Sequence, residues 1–406
     1  MLPSSVAWAS RLGIFRSALP LKKSFSLDFQ QGFSQNAEMP TTSVSSRLSA
    51  LRNLLSSQEV DALLVCGPEN RRYLSGFSGE DPDWGLLLIT QAAALLITDC
   101  RYQIWAQQEA AAFRIEVYRQ NLGDSLVELL KELGVRRLGF EAAHLSYRQY
   151  QRLSAAAAAQ GLRVEWEPLE GLVEELRETK SPDELAAMRR SLELSELVLR
   201  RVAAALAPGK TERQVAWEIE KGLREGGAEA LAFPPIVAAG INSARPHHQP
   251  GDQVIAAGEP IIIDMGARLN GYCADLTRTY LLGPPDKRFQ EIYTLVRQAQ
   301  ARAETGLRAG MDSLAGDALA REVIAAAGYG EAFGHSLGHG VGLAVHENPS
   351  LNPNPERRTL LKSGSVLTVE PGIYLADWGG VRLENMVLLQ PQGAEVLNRY
   401  QEFYRW

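Results

Sequence analysis

The chain has 406 residues, too many for one typical domain, and its 45% hydrophobic and 22% charged content suits a globular protein with a sizeable core. A formal net charge of −6 excludes the basic stripe of a nucleic-acid binder, so no nucleic-acid partner is expected. Three widely spaced cysteines, Cys66, Cys100 and Cys273, exclude a disulfide framework or zinc knuckle, and no apolar run approaches the roughly 18 residues of a membrane span.

From Met1 to Leu27 there are Arg11, Arg16, Lys22 and Lys23, frequent serines and no acidic residue. Such a stretch is either an extension or disordered leader ahead of a start at Met39, or an organellar transit peptide. Residues 1–42 are therefore set apart from the fold. Reduced thiols point to the cytoplasm, with an organelle as the alternative if the leader is a transit peptide.

An amphipathic helix is expected from Ser46 to Leu55. Short apolar runs at Asp61–Val65, Gly85–Ile89 and Ala94–Ile97 read as strands, as do Arg114–Tyr118, Arg137–Phe140 and Arg163–Trp166. Helical stretches at Tyr102–Ala112, Leu126–Leu133 and Tyr147–Gln160 separate them. This alternation predicts a smaller α/β domain over residues 43–175. At Lys180-Ser-Pro-Asp-Glu184 a capping box with proline in the first helical position predicts a long helix that ends before Pro208-Gly209. Thr211 and Gln214 repeat the device and start a helix that stops at Gly226-Gly227. Residues 176–406 form the second domain, where strands and hairpins take over.

The chemistry gathers there. Five of the six histidines, His247, His248, His335, His339 and His346, fall within a hundred residues; His144 lies outside. Ile261-Ile-Ile-Asp264 is an apolar strand that runs into a carboxylate, and a buried carboxylate needs a partner. Eleven residues on comes Asp275, with Asn270-Gly271 between them as a turn. The two aspartates are expected to face each other across a hairpin, within about a residue of register. The arrangement recurs: Val366-Leu-Thr-Val-Glu370, a turn at Asp377-Trp-Gly-Gly380, then Glu384. Four carboxylates cannot converge without cations. One alternative pairs each acid with an arginine such as Arg278 or Arg382. The other is a pair of divalent ions, favoured by two matched hairpins and by His339 and His346 on a glycine-rich segment. Nothing in the sequence suggests a serine or cysteine triad, and Cys273 reads as core or site lining.

These stretches, I-D-M-G…C-A-D-L-T-R-T, H-S-L-G-H-G-V-G-L-A-V-H-E-N-P, T-V-E-P-G-I-Y and G-V-R-L-E-N, together resemble the pita-bread metallopeptidases. That family includes aminopeptidase P, prolidase and methionine aminopeptidase, and the resemblance runs from about Met39 to Trp406. Asn70-Arg-Arg-Tyr-Leu-Ser-Gly-Phe77 and Asp99-Cys-Arg-Tyr102 resemble the creatinase/prolidase-type amino-terminal domain, which methionine aminopeptidases lack.

The resemblance implies an α+β chain: a curved antiparallel sheet flanked by helices, preceded by the α/β domain. It implies that Asp264 binds one metal, His339 and Glu370 the other, and that Asp275 and Glu384 bridge. Glu370 would also be general base and proton shuttle. His346 would hydrogen-bond the scissile peptide and stabilise the tetrahedral intermediate. His247 would bind substrate and assist catalysis, Tyr374 and Arg382 would line the pocket and bind substrate, and Arg382 and Thr277 would support the bridging carboxylates. His248 would be structural or at the pocket rim, and His335 would steer His339. The oxygen-rich set favours manganese, with zinc, cobalt and iron as alternatives.

The implied activity is hydrolysis of the bond between an amino-terminal residue and proline, in a homodimer whose partner limits substrate length. Archaeal-type prolidases carry an arginine after the H-E-x-P stretch where this chain has Ser350. That departure favours an Xaa-Pro aminopeptidase over an Xaa-Pro dipeptidase. A creatinase-like hydrolase or lyase, or a non-catalytic peptide-binding module, is disfavoured because the ligand set is complete.

Overall fold

The computed structural model describes residues 41–404. The expected leader, apart from the two residues that begin the first helix, lies outside the described residues. The amino-terminal portion runs α1 (Thr41–Leu55), β1 (Ala62–Val65), α2 (Pro68–Ser75), β2 (Leu86–Thr90), β3 (Ala94–Thr98), α3 (Gln103–Glu109) and β4 (Arg114–Val117). It continues with α4 (Leu122–Glu132), β5 (Arg137–Glu141), α5 (Tyr147–Ala159), β6 (Glu165–Leu169) and α6 (Leu172–Glu178). Its six strands form one mixed sheet in the order β4-β3-β2-β1-β5-β6. Alternation on β1 sends Ala62 and Leu64 to one face, under α4 and α5, and Leu63 and Val65 to the other.

Two helices here differ from the sequence-based expectation. No helix was expected directly after the Asp61–Val65 strand, but Pro68 opens α2, because proline suits the first turn of a helix. The short α6 follows Gly171 in the left-handed conformation. Both lie at the junction with the second portion.

Ser181 and Glu184 form the expected capping box at the start of α7 (Pro182–Ala204), and Thr211 and Gln214 do so for α8 (Glu212–Glu225). Strands β7 (Ala230–Leu231), β8 (Ile236–Ala239), β9 (Pro260–Met265), β10 (Ala267–Leu269), β11 (Tyr272–Cys273) and β12 (Leu276–Leu281) follow. Then come α9 (Lys287–Gly306), α10 (Ser313–Ala326), β13 (Gly338–Gly340), β14 (Glu347–Leu351) and β15 (Val366–Val369). The remaining strands are β16 (Gly372–Leu375), β17 (Gly379–Arg382), β18 (Asn385–Gln390) and β19 (Gly393–Val396).

These strands pair antiparallel in short sheets: β11-β10-β7, β12-β9-β8, β14-β13-β15-β18-β19 and β16-β17. Side chains sew them together. Thr279 Oγ1 donates to the Arg382 carbonyl and accepts from its amide, and the Glu384 amide donates to the Thr277 carbonyl. Helix α7 packs behind, with Ser191 and Ser195 one turn apart bonding the carbonyl and amide of Ala267. Ile261, Ile263 and Met265 of β9 are buried with Leu194, Val198 and Leu199 of α7 in a core that also contains Leu63 and Leu87 of the amino-terminal sheet. Each such side chain contributes about 1.5–3 kcal/mol. A second core lies between α9, α10 and Leu367, Val369, Val381 and Leu383. With these residues turned outward, the alternate ones turn into a shared cleft.

Candidate active site

The first hairpin turns at Asn270-Gly271, both at positive φ (51° and 81°), with Leu269 opposite Tyr272. The same register continues through β9 and β12, where Asp264 stands opposite Thr277. Asp264 and Asp275 are therefore offset by two residues, rather than within about one as expected. The reason is that the turn lies nearer Asp275. An offset of two preserves the face, so both still point into the cleft.

The second hairpin keeps one register from β15–β18 into β16–β17: Val369 pairs with Asn385 and Gly372 with Arg382. Glu370 and Glu384 fall opposite each other where the hairpin passes from one sheet to the next. Thr368, Glu370, Arg382 and Glu384 all belong to the inward set.

His339 enters on β13. Its amide donates to Thr368 Oγ1 (3.0 Å), and Gly338 before it leaves no room for a Cβ against the Thr368 carbonyl. His339 Nδ1 lies 3.1 Å from the Gly340 carbonyl, which assigns that nitrogen a proton and turns Nε2 toward the carboxylates. Nε2 is 3.3 Å from Glu370 Oε1 and 3.7 Å from Asp275 Oδ2. Ligand atoms of Asp275, His339 and Glu384 lie within 4.8 Å of one another. Register places Ser350 directly across from His339.

Among the described residues, the arginine alternative is realised for Asp264. Arg382 Nη2 bonds Asp264 Oδ2 at 2.6 Å, Nε reaches Thr277 Oγ1 and Nη1 reaches the Tyr374 hydroxyl at 3.0 Å. Thr277 Oγ1 donates to Glu384 at 2.7 Å. Arg278 bonds the Glu384 carbonyl, Asn385 and the Tyr400 carbonyl instead of a cleft carboxylate.

Burial raises the pKa of Asp264, Asp275 and Glu384, and the neighbouring carboxylates raise them further. Glu370 goes the other way. Burial alone would raise it, but the His339 hydrogen bond, with the charges of His339, His335 and Arg382, brings it down to about 2. Among the described residues, the buried Asp264 Oδ1 has no hydrogen-bond partner. An orphaned carboxylate oxygen beside three more carboxylates and an imidazole nitrogen turned toward them fits hard divalent cations.

The other expected residues surround this cluster. The His346 ring lies 4.2 Å from that of His339, centroid to centroid. Burial lowers the His346 and His335 pKa values, and the nearby His247, exposed on its loop, lowers both further. Tyr374 lines the wall, its hydroxyl pushed up to about 12 by burial. His335 bonds Tyr374 (2.9 Å) and the Ser336 carbonyl rather than His339, which it was expected to steer. His248 is structural, held by Glu212 at 2.8 Å. Burial pushes the Cys273 thiol up to about 12, which removes it as a nucleophile.

Sequence reasoning missed Thr368, whose hydroxyl lies 3.1 Å from Glu370 Oε1. Its period-two spacing from Glu370 was the available signal. It also missed Glu347, whose carboxylate bonds Arg177 and Lys180 from the domain junction.

The family model for metallopeptidase family M24 matches residues 186–391, half of the chain. The chain belongs to metallopeptidase family M24. The creatinase/prolidase N-terminal domain model matches residues 47–179 of this M24 chain. It is 34% identical over 355 residues to an Xaa-Pro dipeptidase of Pyrococcus furiosus, covering 87% of this chain and 97% of that one. Among solved structures, an Xaa-Pro dipeptidase from Bacillus anthracis is 35% identical with a TM-score of 0.84, over 89% of this chain and 99% of that chain. An X-Pro aminopeptidase from Thermotoga maritima is 36% identical with a TM-score of 0.76, over 83% and 95%. The fold is accordingly the pita-bread arrangement preceded by a creatinase-like domain, and M24 membership implies divalent metal use.

Proposed function

We propose that this M24 peptidase is an Xaa-Pro aminopeptidase that uses two divalent ions held by Asp264, Asp275, His339, Glu370 and Glu384. The observation that carries the reading is the convergence of four carboxylates, three of them buried, and one imidazole nitrogen turned toward them, with Arg382 bonded to one of the acids. When bound, such a pair of ions lowers the pKa of water and polarises a carbonyl oxygen.

The chain's own residues do the rest. Glu370 Oε1 is turned to His339 and Thr368, so Oε2 takes the proton of the attacking water and passes it to the departing proline nitrogen. His346, beside His339 at the cleft mouth, donates a hydrogen bond to the oxygen on which charge develops. His247 approaches from its loop and holds the substrate. Arg382 fixes Asp264 and Tyr374, so that the pocket wall and the carboxylates share one support.

Ser350 supports an aminopeptidase over a dipeptidase. A dipeptide places its free carboxylate near the site, and the position across from His339 offers a hydroxyl without charge. An Xaa-Pro dipeptidase is the second reading, favoured by the names of the Pyrococcus furiosus and Bacillus anthracis relatives. We further infer manganese as the metal, from the oxygen-rich donors, and a homodimer. A cytoplasmic location is supported by three free thiols. No helix among the described residues is long and apolar enough to cross a membrane.

Initial rates of the purified enzyme on an Xaa-Pro dipeptide and an Xaa-Pro-Yaa tripeptide separate the two readings. Higher kcat/KM for the tripeptide is expected; preference for the dipeptide establishes the second reading.

A further inference from the structure

Residues 341–346 form an irregular loop that carries His346, and the loop is wrapped around the side chain of Glu347, the first residue of β14. The His346 ring lies beside that of His339, while the Glu347 side chain is buried on Arg177 and Lys180. Its Oε2 accepts from the Ala344 amide at 3.4 Å, and a Cβ at Gly342 would collide with Oε1. The carboxylate thus fills the centre of the loop. The far side of the loop is pinned to β11, where the Cys273 amide donates to the Gly342 carbonyl at 2.8 Å.

What holds Glu347 comes from the domain junction. Arg177 of α6 bonds Oε2 at 2.5 Å and Lys180 bonds Oε1 at 2.8 Å, with side-chain exposures of 6%, 1% and 7% for Arg177, Lys180 and Glu347. Burial would raise the Glu347 pKa, but the two cations outweigh it and keep the group ionised. Arg177 is held in turn: its Nη1 donates to Asn70 Oδ1 at 2.7 Å. Asn70 of α2 donates to Glu141, at the end of β5, and to Glu174. Glu141 also accepts from the amides of Cys66 and Gly67, after β1. An unbroken chain of hydrogen bonds therefore runs from the central strands of the amino-terminal sheet to the loop that presents His346.

We propose that Arg177, Lys180 and Glu347 are positioning residues through which the amino-terminal domain of the same chain fixes the His346 imidazole over the cleft. The inference rests on His346 acting on the substrate oxygen, as in the function proposed above. Two buried cations on one carboxylate give the loop a single arrangement, because moving Glu347 would leave both charges unpaired. The amino-terminal domain is on this account part of the catalytic apparatus of its own subunit.

The test is a double-mutant cycle on the full-length, metal-loaded enzyme with an Xaa-Pro-Yaa tripeptide. Arg177→Lys keeps the buried charge and removes the two-pronged bonding to Glu347 and Asn70. It is expected to lower kcat about tenfold with KM little changed, and to change kcat by less than about twofold in a His346→Ala background. Equal losses in both backgrounds would show a merely structural role and overturn the proposal. Glu347→Gln provides a second variant with the same expected pattern.

A readout that needs no turnover runs alongside. The imidazole ¹⁵N resonances of His346, identified by their absence in His346→Ala, are expected to shift in Arg177→Lys and in Glu347→Gln. Unshifted resonances in the folded variants overturn the clamp, whether or not the wild type cleaves proline peptides. Absence of that cleavage contradicts the proposed function alone.

Discussion

At the scale of single residues, Glu370 differs from the three carboxylates around it. His339, His335 and Arg382 hold it well below the usual carboxylate range, whereas burial and mutual repulsion raise Asp264, Asp275 and Glu384. An ionised oxygen within reach of the reacting atoms is what a proton shuttle needs. Glu370→Gln keeps the size and an acceptor oxygen but removes the base. It is expected to lower kcat by roughly 10²–10⁴-fold, while metal content measured by elemental analysis stays within about twofold of wild type. Activity that survives the substitution unchanged excludes Glu370 as the shuttle. The residue identities were legible because Asp264 and Glu370 each close an apolar strand, a pattern that burial makes costly without cations, and Asp275 and Glu384 follow, each across a turn. Thr368 and Arg382 show the limit. A side chain's period-two face can be read in sequence, but which of several inward groups it touches depends on the crossing of two hairpins.

At the scale of elements, caps and turns were legible and register only partly. Ser181-Pro182 with Glu184, Thr211 with Gln214, and Asn270-Gly271 each fix the backbone through local chemistry, and all three occur as expected. The two-residue offset between Asp264 and Asp275 departs from the expected register, because the turn at Asn270-Gly271 lies nearer Asp275. Helices α2 and α6 were missed because they are short and their stabilising contacts are distant. Glu174 of α6 bonds His144, just after β5, at 3.1 Å.

That contact predicts a pH effect. The Glu174 hydrogen bond raises the His144 pKa above its ordinary 6.5 despite partial burial. Burial would raise Glu174, but the bonds from His144 and Asn70 bring it from 4.5 to about 2. The histidine part of the stabilisation is fully present below 6.5 and fades as pH rises through the raised value. The glutamate part is present above 4.5 and fades as pH falls towards 2. His144→Gln should therefore lower the urea midpoint more at about pH 5.5 than at about pH 8.5. An equal or larger effect at the higher pH would contradict the assignment.

At the scale of the whole molecule, the two portions share one apolar core and a buried polar chain, so the creatinase-like domain and the M24 domain are joined by more than a linker. The fold class was legible from the alternation of strands and helices followed by hairpins, together with the family resemblance. The junction was not. Arg177 and Glu347 are 170 residues apart, and neither carries a local signal for the other. The choice between aminopeptidase and dipeptidase turns on the surroundings of a substrate terminus, and Ser350 was the one residue that spoke to it.

The central claim is the two-metal hydrolytic site, and metal titration tests it most directly. Chelator-treated enzyme is reconstituted with manganese, and bound metal and hydrolysis of an Xaa-Pro-Yaa tripeptide are measured on the same samples. The account predicts no turnover without metal and activity that rises until about two ions are bound per chain. Full activity of the metal-free protein, or saturation below about one ion per chain, would contradict it.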